Sequence, residues 1–319
     1  MRVLIIGANG LIGRQTARHL AEEECGSLIL ADCVPATPPA GARIPVECRV
    51  GDFCDTDFAR DLLQGVDCVF HLAALLATES EADLRRGMSV NVAGLMQLLM
   101  LCEELPRPPK LLYASSVAAF GGPLPETVDD DVARTPQTSY GTHKAIAELL
   151  IDDYTRRGLV DGRVLRLPIV LVRNGPPSNA VSDRVAALIR EPVMGKDVTC
   201  GLRPETRMSI TSAHHAATAF QRLASVDAAA FRHTRAMNLP SLSVTAAELA
   251  ERRSAALRCR PKAASFGHPT RHCRPWSMAG RAGLPRRMPV PSGWGRETPS
   301  TTSSPVSSPR TDCADVADT

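Results

Sequence analysis

The chain has 319 residues, 44% hydrophobic and 22% charged, with a formal net charge of +3. That is the composition of a globular chain long enough for one large or two modest domains. No uninterrupted apolar run approaches the ~20 residues of a membrane-spanning helix, and collagen-like and coiled-coil classes are excluded on the same grounds.

Ten cysteines are present, none in a C-x-x-C pair and none at zinc-ligand spacing with histidine. Reduced structural thiols are expected, and no metal site. Met1 leads directly into a strand-like run with no targeting segment before it, which points to the cytoplasm. The basic excess is confined to residues 251–319 and resembles no nucleic-acid-binding module. Neither nucleic acid nor membrane is therefore an expected partner.

In chain order, strand-like runs occupy 2–6, 27–31, 46–50, 67–72, 110–114 and 163–167, with helical patterns such as 11–24 and 90–104 between them. Strand–helix alternation of this kind predicts an α/β fold, a doubly wound parallel sheet covered on both faces. Residues 171–250 mix loops, helical runs near 180–190 and 213–226, and a short strand at 235–239. They read as a smaller substrate lobe after the last strands of a domain spanning 1–170. A long loop around 75–80 is expected to approach the substrate.

The first strand runs into Gly7-Ala-Asn-Gly10-Leu11-Ile12-Gly13, and a helix follows at once. Glycines permit the tight turn and a close backbone approach to a pyrophosphate, while the helix N-terminus offers free N–H groups. Asp32 closes the second strand, where a carboxylate binds ribose hydroxyls and repels a 2′-phosphate; this favours NAD over NADP. Asp52 and Phe53 follow the third strand, toward the adenine, although a solvated loop acid is an equal reading of Asp52. Leu72 and Ala73 end the fourth strand. Asn91 heads the long helix, Ser115-Ser116 closes the fifth strand, and Ser139-Tyr140-Gly-Thr-His-Lys144 opens another helix. Tyr140 and Lys144 are four apart, so they share a helix face. A nearby ammonium and a cationic nicotinamide would lower the phenol pKa and make the pair a proton acceptor and donor. Either motif alone has a bland reading, a structural turn or a surface pair.

Together these residues resemble the extended short-chain dehydrogenase/reductase family in its NAD-dependent epimerase/dehydratase branch, over about residues 1–250. The resemblance implies a Rossmann fold, NAD as cofactor, Tyr140 as acid/base, and Lys144 lowering its pKa while holding the nicotinamide ribose. Ser116 matches the active-site serine better than Ser115. Asn91 matches a structural and proton-relay asparagine, and Pro168 a proline against the nicotinamide carboxamide. Pairing through helices near 91–104 and 140–157 implies a homodimer. Sugar-nucleotide dehydratases need an acidic pair after the serine; Val117 and Ala118 stand there, so that activity is excluded.

The stretches 115–126, 135–142 and 163–168 look like those of relatives that oxidise a four-carbon sugar acid at its 2-hydroxyl with NAD, giving the 2-keto acid. Ser116 and Tyr140 would then meet the reacting hydroxyl, and Arg173 and Arg207 are the candidates to grip the carboxylate. A nucleotide-sugar 4-epimerase and an inactive NAD-binding relative are the alternatives. Adjacent His214 and His215 point apart on a helix and do not make a metal site.

Beyond residue 251 the composition turns to Arg, Pro and Ser, without Ile, Tyr, Asn or Gln. No helical or strand periodicity is read there. The segment reads as a disordered basic tail or as the product of a shifted reading frame, either of which leaves the lobe incomplete.

Overall fold

A computed structural model of the chain describes residues 1–22, 26–171, 181–231, 234–257 and 264–266. Strand β1 (Arg2–Ile6) leads into α1 (Leu11–Glu22), followed by β2 (Ser27–Asp32), β3 (Val46–Val50), α2 (Thr56–Leu62) and β4 (Cys68–His71). Short helices α3 (Ala77–Ala82) and α4 (Leu84–Met88) run through a π turn at Ser89–Ala93 into α5 (Gly94–Glu103). Then come β5 (Lys110–Ser116), α6 (Ser139–Arg156) and β6 (Asp161–Leu167). The second half holds β7 (Ile169–Leu171), α7 (Val181–Val193), β8 (Val198–Cys200), β9 (Arg207–Ser212) and α8 (Ala213–Ser225). It ends with β10 (Ala236–Asn238), β11 (Leu242–Thr245), α9 (Ala246–Leu257) and β12 (Ala264–Phe266).

Seven strands form one sheet in the order β10-β6-β5-β4-β1-β2-β3, every neighbouring pair parallel. Alternation along each strand separates two apolar layers. Val3 and Ile5 of β1 pack with Ala17, Leu20 and Phe220 of α1 and α8. Leu4 and Ile6 face the other way, toward Leu62, Leu95, Leu98 and Ile151 of α2, α5 and α6. The chain winds outward in both directions from β1 and β4, which leaves a crevice beyond their carboxyl ends, the usual ligand position in such sheets. The doubly wound parallel sheet is as expected. Among the described residues no helix is long and apolar enough to cross a membrane.

Three features depart from the sequence reading. The segment near 75–80 is not a plain loop: Glu79 accepts from the Leu76 N–H and Asp83 from the Arg86 N–H, capping α3 and α4. Helices of five or six residues are too short to show a period. Residues 171–250 do not form one contiguous lobe, because α8 packs on α1 and β10 extends the main sheet. What remains is a three-stranded sheet, β11-β9-β7, flanked by α7 and α9. Secondary structure also continues past 251: a reciprocal Thr245–Glu248 cap starts α9, and β12 pairs in parallel with β8. Residues 267–319 lie outside the described residues.

Candidate active site

At the crevice, Gly7 has φ +86°, and a Cβ there would lie 2.6 Å from the Ala73 backbone nitrogen. Only glycine lets β1 turn this tightly against the end of β4. The Leu72 N–H donates to the Ile6 carbonyl, so Leu72 and Ala73 are held beside that turn. Gly10 donates its N–H to the Gly7 carbonyl, and a Cβ at Gly13 would meet the same oxygen at 2.2 Å. Leu11 and Ile12 form the first turn of α1, whose leading N–H groups have no partner within the helix. Asp32 Oδ2 accepts from the Asn9 N–H at 2.8 Å, while Oδ1 has a longer contact, 3.4 Å, from the Val34 N–H. A side-chain-free backbone cradle at a helix N-terminus, with a carboxylate across it, suits the pyrophosphate and ribose of a dinucleotide. Asp52 is exposed, its Oδ1 accepting from the Cys54 N–H, and Gly51 ties β3 to the Asp32 carbonyl. The Phe53 ring turns into the core, 5.0 Å from the His71 ring.

The second group of residues assembles at the end of β5. Ser116 is followed by a 3-10 turn, Val117–Ala119, and its Oγ accepts from the Ala118 N–H. Thr138 caps α6 by accepting from the Gly141 N–H. A Cβ at Gly141 would lie 2.1 Å from the Ala118 carbonyl oxygen. That contact between backbones seats half-buried Tyr140, the second residue of α6, beside the turn that follows Ser116. One turn on, Lys144 is buried; its Nζ donates to the Ala114 carbonyl at 2.7 Å and the Tyr113 hydroxyl at 3.0 Å, and lies 5.5 Å from the Tyr140 ring centroid. Asn91 sits in the π turn. Its Oδ1 accepts from the Leu75 N–H and its Nδ2 donates to the Leu75 carbonyl, both at 2.9 Å, and Nδ2 is 3.3 Å from His143 Nδ1. Pro168 is buried between β6 and β7. Arg207 opens β9, half-buried and opposite Thr245. Arg173 lies outside the described residues.

Burial dominates the electrostatics. It pushes the Tyr140 phenol up to about 12, against the opposite pull of the neighbouring Ser116 hydroxyl. It pushes the Lys144 ammonium down to about 7, with Glu148 opposing. His71, also buried, is pushed down to about 3 by burial and then by Lys144. The free protein thus differs from the expected lowered phenol. The ammonium is turned toward Tyr113 and Ala114, and desolvation of Tyr140 outweighs its neighbours.

Four supporting residues were not singled out from sequence. Besides Tyr113, they are Glu148, Arg166 and Arg134. The fully buried Glu148 carboxylate receives Arg166 Nη2 at 2.8 Å, Arg134 Nη1 at 3.0 Å and the Ser115 hydroxyl. Ser115 is thereby an anchor for the strand end that presents Ser116. The available signal was Glu148 itself, four residues after Lys144 on the same helix face.

Comparison with known proteins places this geometry among enzymes. A family model described as the NAD dependent epimerase/dehydratase family matches residues 3–227. A D-erythronate dehydrogenase of Cupriavidus necator is 41% identical over 262 residues, covering 79% of this chain and 80% of that protein. One from Haemophilus influenzae is 35% identical over 254 residues, covering 78% and 80%. The crystal structure of a nucleoside-diphosphate-sugar epimerase from Agrobacterium tumefaciens superposes with a TM-score of 0.76 at 31% identity, covering 84% of this chain and 82% of that one.

Proposed function

The chain belongs to the NAD-dependent epimerase/dehydratase family, and on that premise we propose that it oxidises a small sugar acid of the D-erythronate type at its 2-hydroxyl, giving the 2-keto acid. The observation that carries the reading is the close backbone contact of Gly141 with Ala118, which seats Tyr140 beside the turn after Ser116, one helical turn from buried Lys144 at the carboxyl end of the sheet.

In this reading the backbone of Gly7, Gly10, Leu11, Ile12 and Gly13 holds the pyrophosphate of NAD and Asp32 its adenosine ribose. Asp52 and the backbone of Phe53 would face the adenine, and Leu72, Ala73 and Pro168 the nicotinamide. Bound NAD supplies the acceptor for the hydride that leaves C2. Tyr140 takes the hydroxyl proton, and Ser116 donates to the same oxygen and keeps it in place. A phenol near 12 is a weak base at neutral pH, so the reaction needs positive charge beside it. Lys144 provides that charge in its protonated form and would hold the nicotinamide ribose. Asn91, clamped on Leu75, fixes the π turn next to His143 and so the seat of Lys144. Arg207 and Arg173 pair with the substrate carboxylate.

The apolar Val117 and Ala118 offer no acid for dehydration. Nucleotide-sugar epimerisation is the second reading, favoured by the likeness to the Agrobacterium epimerase. An epimerase recycles its cofactor, whereas a dehydrogenase accumulates NADH. The test is NADH formation from NAD and D-erythronate, with Tyr140→Phe as control. A rate falling at least ~10²-fold in the variant is expected. NAD binding without turnover of any sugar acid or nucleotide sugar would instead mark an inactive relative. The domain division that fits this chemistry joins α8 and β10 to residues 1–168 as the cofactor unit, with β7, β9, β11, α7 and α9 as the substrate lobe.

A further inference from the structure

The small sheet carries buried hydroxyls that its own fold does not use. Strands β9 and β11 pair antiparallel, with Ser243 opposite Ser209 and Thr245 opposite Arg207. Met208, Ile210 and Val244 point to one side, into an apolar cluster with Leu188 and Leu249. By strand alternation Arg207, Ser209 and Ser243 share the other side. The Oγ atoms of Ser209, Ser243 and nearby Ser241 are all buried, and among the described residues none has a hydrogen-bond partner. Ser209 is only 1% exposed. Buried hydroxyls are normally paired, so three unpaired ones on adjoining strands point to a polar partner that arrives from outside.

Register places them near the chemistry. Ser116 pairs with Leu167 at the end of β6, Pro168 follows, and Ile169 of β7 pairs with Ile210 of β9. Ser209 precedes Ile210 as Pro168 precedes Ile169, so Ser209 stands level with Pro168, one strand over. We propose that Ser209 and Ser243, with Ser241 beside them, bind the non-reacting hydroxyls of the substrate, at C3 and C4 of a four-carbon acid. This rests on the sugar-acid reading above. A hydroxyl both donates and accepts, so a row of serines matches a polyol, while Arg207 at the edge of the row matches the carboxylate. A site built to bond hydroxyls rejects an analogue that lacks them, because its own polar groups then stay unpaired.

The test compares kcat/KM for D-erythronate with that for 2-hydroxybutanoate of the same C2 configuration, which lacks the C3 and C4 hydroxyls. Wild type, Ser209→Ala, Ser243→Ala and Ser243→Cys are assayed, and the melting temperature of each is measured without substrate. Cysteine keeps the size but bonds weakly. The expected result is a preference for D-erythronate in wild type that falls at least ~10-fold in each variant. Melting temperatures should be unchanged or higher, since each deleted hydroxyl was unpaired. An unchanged preference with D-erythronate still oxidised overturns this assignment alone. A wild type that forms NADH from neither acid overturns the sugar-acid reading and this assignment with it.

Discussion

Lys144 and Tyr113 meet beneath the candidate site: the lysine Nζ donates to the tyrosine hydroxyl at 3.0 Å and also lies 4.5 Å from the centre of its ring. The tyrosine therefore stabilises the ammonium where burial disfavours it. Tyr113→Phe removes the oxygen and keeps the ring, so the lysine pKa falls further. In the proposed mechanism the charged lysine is required, and the high-pH limb of kcat/KM should move about 0.5–1 unit toward acid. A pH profile of the variant that overlays wild type would leave Tyr113 as packing only.

Gly141 is expected to be intolerant of any side chain. A methyl 2.1 Å from the Ala118 carbonyl must push the start of α6 away from the turn after Ser116. Gly141→Ala should lower turnover about 10²-fold, the scale of a misplacement near 1 Å. NAD affinity, measured by calorimetry, should change much less, because the Gly7–Gly13 turn is untouched.

Glu148 neutralises two arginines in the interior. Glu148→Gln leaves the Arg166 guanidinium, 2% exposed, without its carboxylate. Breaking a buried ion pair from one side costs about 3–5 kcal/mol. Urea unfolding should report that loss.

Acid should destabilise the fold through His71. Its folded-state pKa is pushed to about 3 by burial and then by Lys144, from an unfolded value of 6.5. Between those values the unfolded chain binds a proton that the folded chain excludes. Stability contributed by this group is thus present above pH 6.5 and lost as pH falls toward 3, by at most about 1.4 kcal/mol per pH unit. His143 is lowered in the same sense. Urea midpoints across this range should show a shallower decline for His71→Phe, which keeps a ring against Phe53.

Helices α5 and α6 should bury apolar surface in a homodimer. Met96 and Met100, one turn apart on α5, are 44% and 53% exposed, and Leu149 on α6 is 56% exposed. Exposed large apolar side chains on two helices that pack together suit an association surface. The double variant Met96→Glu, Met100→Glu should elute as a monomer in light-scattering chromatography, with wild type a dimer.

The parts legible in sequence are those that depend on neighbours in the chain. The Gly7–Gly13 turn, Asp32 at a strand end and the Tyr140–Lys144 spacing all express local geometry, and in the structure they lie at the carboxyl ends of the strands. Other features need pairings that spacing does not reveal. Lys144 reaches Tyr113 only because α6 lies on the face of β5 to which Tyr113 points. Glu148 meets Arg166 across a helix–strand contact, and Ser209 meets Ser243 through an antiparallel register. Strands of three residues, such as β7 and β8, are too short to alternate visibly, and α9 begins with a cap rather than a strong apolar stripe.

The pairing of β10 with β6 has a consequence for synthesis. The last edge of the main sheet is made from residues 236–238, although the strand it joins ends at Leu167. During translation β6 emerges first, and its outer row of N–H and C=O groups waits while the intervening lobe is made. An unpaired edge recruits strands from other chains. Ribosome stalling or truncation between these two strands should therefore yield aggregates rather than a smaller folded enzyme.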